Sequence, residues 1–262
     1  MWLYRNNPRS SKYPIVLYDW QPSRKADHPR EFLKDFSGIA VTDGYQVYHT
    51  LGKERHDLKI SGCWIHARRP YAEFIKSVGT PAAKGSIAAE AYLMITEMMH
   101  IDNGFDDLSN SDRQKQRQHV LQDKVDAYFE WVKLKYNQVT HNSVIGKALA
   151  YSINQEEYLR MFLTDGRIPM DNNYAEQAIR PFTIARKNIV LMESDHGAKA
   201  SAMIFSIAET AKANNLNTYE YFELLLSELP KHQDDKNLEF LDNLLPWSPE
   251  VQKKCPSRLK KS

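Results

Sequence analysis

Two carboxylates, Asp43 and Glu176, stand in settings suited to phosphate or metal chemistry. Asp43 closes the apolar run "GIAVTDGY" at residues 38–45 and is followed by Gly44, so it sits where a buried strand gives way to a polar turn. In open α/β sheets, ligand-handling groups gather at the carboxyl ends of the strands. Asp-Gly is equally a common turn dipeptide, and turn formation alone accounts for the pair. Glu176 lies far downstream, in "DNNYAEQAIRP". Asp171 or Asn172 is placed to cap a helix there, which puts Glu176 in its opening turns, where the positive end of the helix dipole favours a carboxylate. A surface acid that complements the dipole satisfies the same pattern. Ala175, Ala178 and Ile179 around it nevertheless predict close packing of this stretch.

Cations crowd near both acids. Arg180, Arg186 and Lys187 follow Glu176, and Arg68 and Arg69 follow the last predicted strand. Guanidinium forks match phosphate oxygens, and positive side chains dominate affinity for a nucleic-acid backbone. Any one of these residues alone reads as a solvated surface charge; their crowding beside the acids is what points to nucleic acid. His66, close behind Cys63 in "GCWIH", lacks the further Cys or His partners that a zinc site requires, so it reads as a packed or hydrogen-bonded histidine. Met94, Met98 and Met99 read as core. No glycine-rich phosphate loop, nucleophile elbow or kinase motif is present in the sequence.

The elements that must position these residues fall into two regimes. "MWLYR" (1–5) and "PIVLYDW" (14–20) predict a hairpin, and 38–45 and "LKISGCWIH" (58–66) predict two further strands. Between the second and third strands, Asp27 is expected to cap a helix entered through Pro29, with Phe32, Leu33 and Phe36 on its inner face, and a short helix is expected between the third and fourth. From about residue 66 to about residue 230 the apolar residues recur at helical spacing, broken near 79–81, 103–104, 141–142 and 165–166. A lysine-rich end follows.

Composition bounds the rest. At 262 residues, 42% hydrophobic and 26% charged, the chain has the make-up of a globular protein with one large domain or two smaller ones. The formal net charge of +2 conceals local contrast, with "IHARRP" and "IRPFTIARKN" basic and "HIDNGFDDLSNSD" acidic. Two cysteines give no disulfide framework. No run approaches the roughly 18 apolar residues of a membrane span, and the start lacks the marks of a secretory signal, so a cytoplasmic protein without a membrane partner is expected.

Four stretches resemble, in order, the motifs of insertion sequence 66 family transposases: "LKDFSGIAVTDGYQVYH", "GCWIHARRPYAEF", "DGRIPMDNNYAEQAIRPFTIARKN" and "SDHGAKASAMIFSIAETAKANNLNTYEYFELLL". The resemblance runs from about residue 1 to about residue 247. It implies an α/β, ribonuclease-H-like core of the Asp-Asp-Glu type, with a large all-helical insertion and a helical C-terminal part. The implied layout is 1–66 for the strand-rich part, 67–165 for the insertion, 166–230 for the helical part carrying the glutamate, and 231–262 for a C-terminal extension. Asp43 matches the family's second aspartate and Glu176 its glutamate. The implied chemistry is metal-dependent phosphodiester cleavage and strand transfer at the ends of a mobile element, with two Mg²⁺ (or Mn²⁺) ions held by three carboxylates. The implied partner is DNA, at transposon ends and target, with self-association or pairing with another transposase polypeptide as a further expectation. Arg68, Arg69, Arg180, Arg186 and Lys187 become the expected phosphate contacts, and Asp171 and Asn172 the helix cap. The family's first aspartate, on the first core strand, has no match in this sequence. The resemblance therefore implies a C-terminal portion with an incomplete core, not expected to be active alone; the alternative expectation is a non-catalytic fragment that binds DNA or a transposase.

Overall fold

The structure, a computed structural model, describes residues 1–188 and 194–257, with only the backbone course given for 186–188. The expected order of strand, strand, helix, strand, helix, strand is found. Strands β1 (Trp2–Arg5) and β2 (Val16–Asp19) are followed by α1 (Asp27–Phe32), β3 (Gly38–Val41), α2 (Gln46–Glu54) and β4 (Leu58–Ser61). Helices then succeed one another: α3 (Trp64–Val78), α4 (Thr80–Ala83), α5 (Ile87–Asn103) and α6 (Asn110–Gln116). A π-helical turn at Arg117–Leu121 leads into α7 (Gln122–Tyr136), α8 (Val144–Asn154) and α9 (Glu156–Leu159). The last helices are α10 (Asn173–Asn188), α11 (Asp195–Ala213), α12 (Thr218–Glu228) and α13 (Pro249–Lys254). The fold class is mixed α/β and mostly helical.

The four strands are not hydrogen-bonded into one sheet among the described residues. Among the described residues they make two separate two-stranded sheets, β1 with β2 antiparallel and β3 with β4 parallel. The chain divides correspondingly into two compact units, Met1–Ser23 with Asn173–Ser262, and Arg24–Asn172.

In the first unit, β1 and β2 form the expected hairpin, with Trp2 opposite Asp19 and Arg5 opposite Val16. Helix α10 packs on this sheet as its small residues predict. Val16, Tyr18, Ala178, Phe182 and Ala202 bury one apolar cluster, and the Tyr18 hydroxyl donates to the Ala178 carbonyl. A second cluster, including Ala211, Leu216, Tyr221 and Val251, ties α11 to α12 and α13.

In the second unit, α2 connects β3 to β4, the crossover that parallel pairing requires. The helical stretch is not packed as a separate body. Ile39 and Val41 of β3 lie against the same core that contains Trp64, Tyr71, Ile95, Tyr128, Phe129 and Phe162. Trp64 anchors it: fully buried, it meets Tyr128 and Phe162 edge-on, and its indole N–H donates to the Leu159 carbonyl at 2.9 Å. A side chain of this size buried in full contributes about 1.5–3 kcal/mol or more. Met98 is buried and Met94 and Met99 pack beside it, as read from the sequence. Serines start several of these helices; Ser86 accepts the Ala89 N–H and Ser143 the Gly146 N–H.

Helix α1 differs from expectation. Asp27 is its first residue rather than its cap, and it pairs instead with Arg30 at 2.5 Å. Phe32 and Phe36 are each 41% exposed, and only Leu33 of the expected inner face is buried. At six residues the helix is too short for a helical period to dictate a face.

Candidate functional site

Asp43 lies just past the carboxyl end of β3, beside the end of β4, with the Thr42 N–H donating to the Ser61 carbonyl at 2.9 Å. The carboxylate is exposed, and its Oδ1 accepts the Tyr45 N–H at 3.1 Å. Such a side-chain-to-backbone turn fixes the carboxylate's direction without burying it. Gly44 makes the turn possible, since its φ of +83° belongs to the left-handed region that side-chain-bearing residues avoid. Turn chemistry and a strand-end carboxylate thus coexist at one residue.

Behind the turn stands a polar wall from α8 and α9. The Tyr151 hydroxyl donates to the Asp43 carbonyl across a long 3.4 Å. Burial first, with the charges of Cys63 and Asp43 adding to it, pushes this phenol up to about 12, so it remains a donor. His49, on α2, is buried and stacked on Tyr158 with ring centroids 4.0 Å apart. Its pKa is lowered, mainly by burial and also by Lys53, while the charges of Asp43 and Glu157 oppose the shift.

Helix α3 opens shortly after β4 and carries two expected functional residues, Arg68 and Arg69. Arg68 is half-buried; its guanidinium donates to the Thr96 hydroxyl at 3.2 Å and lies 5.3 Å over the Tyr92 ring. It is thereby turned toward α5. Arg69 is exposed and meets His66 Nε2 at 3.2 Å. Cys63 is fully buried, accepts the Asn172 N–H at 3.2 Å, and has its thiol pushed up to about 11 chiefly by burial. The same corner anchors the segment leading to α10, since the Trp64 N–H donates to the Met170 carbonyl at 2.9 Å.

The first unit carries the second carboxylate. Glu176 is half-buried in the first turn of α10, and Asn172 directly precedes that helix in the chain. Arg180 is exposed on α10. Arg5 donates to the Tyr174 carbonyl at 3.0 Å and stacks over its ring, a contact the sequence reading did not anticipate. The side chains of Arg186 and Lys187 lie outside the described residues. Asp43, Arg68, Arg69, Asp171 and Asn172 therefore belong to one unit, and Glu176 and Arg180 to the other. Asp19, the last residue of β2, has both carboxylate oxygens engaged by the Gln21 amide, at 3.1 and 3.0 Å.

Comparison with known proteins identifies the lineage. Residues 1–200 match the model of the Transposase IS66 family, and residues 206–247 match the IS66 C-terminal element. The chain belongs to the IS66 transposase family. It is similar to two uncharacterized proteins of Sinorhizobium fredii. Protein y4qI is 30% identical over 95% of this chain and 46% of its own length, and y4jD is 28% identical over 90% of this chain and 46% of its own length. The chain thus spans about half the length of the curated relatives it matches. No solved structure gives a significant match. No described helix is long and apolar enough to cross a membrane.

Proposed function

We propose that this chain carries the chemistry-bearing part of an Asp-Asp-Glu DNA transposase, built on a ribonuclease-H-like plan, in which Asp43 and Glu176 each supply a carboxylate to Mg²⁺ or Mn²⁺. The observation that carries this reading is the setting of Asp43: an exposed carboxylate at the carboxyl end of a parallel strand pair, with one oxygen held by the Tyr45 N–H. Hard oxygen donors of this kind suit Mg²⁺. When bound, the metal would activate the attacking water or 3′-hydroxyl and stabilise the leaving oxygen of the phosphodiester. The chain's own part is to hold the carboxylates in place and to neutralise DNA phosphates, for which exposed Arg69 and Arg180 are the leading candidates, with Arg186 and Lys187 beside them in sequence. Two carboxylates leave positions in a two-ion coordination sphere that water and phosphate would fill.

The test is incubation of the purified chain with labelled transposon-end DNA and Mg²⁺ or Mn²⁺. Cleavage lost in both Asp43→Ala and Glu176→Ala supports the reading. Cleavage that survives both substitutions overturns it. Salt-sensitive DNA binding that persists in both variants, with no cleavage by the unsubstituted chain, supports the non-catalytic alternative instead.

A further inference from the structure

Helix α8 and the residue after it press two polar side chains onto the Asp43 turn. Tyr151 and Gln155 stand one helical turn apart, joined by the Gln155 N–H donating to the Tyr151 carbonyl at 3.0 Å, so they share a face. That face meets Gly44. A Cβ on Gly44 would stand 2.7 Å from the Tyr151 hydroxyl oxygen and 3.4 Å from Gln155 Oε1. Gly44 is thus required twice, by its left-handed φ and by the space Tyr151 fills. The Tyr151 hydroxyl also reaches the Asp43 carbonyl at 3.4 Å, the group immediately preceding Gly44. Gln155 is only 7% exposed, and its Oε1 is buried without a hydrogen-bond partner among the described residues. A buried acceptor with no partner is costly and calls for an explanation, and here it lies against the turn that bears the carboxylate.

We propose that Tyr151 and Gln155 are positioning residues, which clamp the Asp43–Gly44 turn so that the carboxylate keeps one direction for the divalent cation. This rests on the proposed role of Asp43, and it gives the helical stretch a part in the site instead of a place beside it. Neither side chain touches the carboxylate oxygens in any recorded contact; both act through the backbone of the turn.

The experiment uses the full chain, Mn²⁺ alone as probe, and two readouts. Free Mn²⁺ is followed by its electron paramagnetic resonance signal, and exchange of the Tyr45 amide, which Asp43 Oδ1 holds, is followed by NMR. Tyr151→Phe keeps the ring and Gln155→Met keeps the volume, so thermal unfolding near that of the unsubstituted chain is expected for both. Each should weaken Mn²⁺ binding about tenfold, as loss of an outer partner does at other metal sites, and should speed Tyr45 exchange. Asp43→Asn should abolish the site. If Asp43→Asn weakens Mn²⁺ while Tyr151→Phe and Gln155→Met do not, the clamp is refuted and the role of Asp43 stands. If Asp43→Asn leaves Mn²⁺ affinity unchanged, or if no Mn²⁺ binds, both ideas fail. Unchanged Tyr45 exchange in Tyr151→Phe also refutes the clamp, whatever the metal does.

Discussion

Strand β2 in the first unit and strand β3 in the second are each four residues long and each belong to a two-stranded sheet, yet different groups hold them. On the side of β2 away from β1, side chains of α11 stand in for a neighbouring strand. The Thr210 hydroxyl accepts the Val16 N–H at 3.0 Å and donates to the Val16 carbonyl at 2.9 Å. Ser206 accepts the Tyr18 N–H at 2.8 Å, and Asn214 donates to the Pro14 carbonyl at 2.8 Å. Spaced one turn apart, these three residues put a polar ladder on a helix face otherwise suited to packing. Strand β3 instead rests Ile39 and Val41 on a large aromatic core. That core is closed at its far side by buried charge. Asp102 pairs with Arg113 at 2.7 Å and with Arg117 at 2.6 Å, and Arg117 also donates to the carbonyls of Phe162, Asp165 and Ile168. One unit thus satisfies backbone with neutral hydroxyls and an amide, the other with a guanidinium.

The difference predicts unequal fragility. Asp102→Ala should give the largest loss, about 3–5 kcal/mol by urea unfolding, because it leaves the buried Arg117 guanidinium without its carboxylate and Arg113 with only the more exposed Asp106 at 3.3 Å. A loss below about 1 kcal/mol would mean that water or relaxation already serves these groups, and the contrast with β2 would collapse. Thr210→Val removes the hydroxyl at nearly constant shape and strands both polar groups of Val16. It should cost about 1–3 kcal/mol and accelerate amide exchange at Val16 specifically. Equal acceleration throughout the chain would show that the ladder stabilises everything at once and not the β2 edge.

The sequence made some of this legible and concealed the rest for physical reasons. The strands were readable because β-branched and aromatic runs ended at polar turns, and the packing of α10 was readable from Ala178 and Ile179. The ladder was not, because Ser206, Thr210 and Asn214 look like ordinary polar helix positions until a strand edge is placed against them. Asp102 read only as part of an acidic stretch, and its burial follows from Arg113 and Arg117 arriving from the next helical segment. The surroundings of Arg68 were also hidden: it is half-buried over Tyr92, because helical spacing brings it beside α5. The strand-end position of Asp43 was legible, whereas the approach of Tyr151 and Gln155 to its turn gave no local sign. Their relevance depends on a fold that brings α8 to a turn far away in sequence.

Gly44→Ala brings the comparison to the site. It should cost about 1–2 kcal/mol for the left-handed backbone alone, with more from the encounter with Tyr151. Adding Tyr151→Phe should recover the steric part and leave the backbone part, as read from urea midpoints of the single and double variants. Full recovery would mean that φ at this residue carries no strain, and that only crowding from α8 selects glycine.

The smallest effect concerns pH and His49. Burial, aided by Lys53, holds its pKa below the ordinary value of 6.5, so the unfolded chain takes up a proton at a higher pH than the folded one. The contribution of neutral His49 to stability is therefore complete above pH 6.5 and is lost as pH falls through 6.5 toward the folded value. His49→Phe, which can keep the stack on Tyr158, should flatten the stability profile over that window. Asp43→Asn should do the opposite. Removing a nearby negative charge that favours protonated His49 lowers the folded pKa further and widens the window in which stability is lost. NMR titration of His49 reads the two shifts directly. An unmoved His49 in Asp43→Asn would show that the exposed carboxylate is screened from the buried ring, and that the turn communicates with α8 alone.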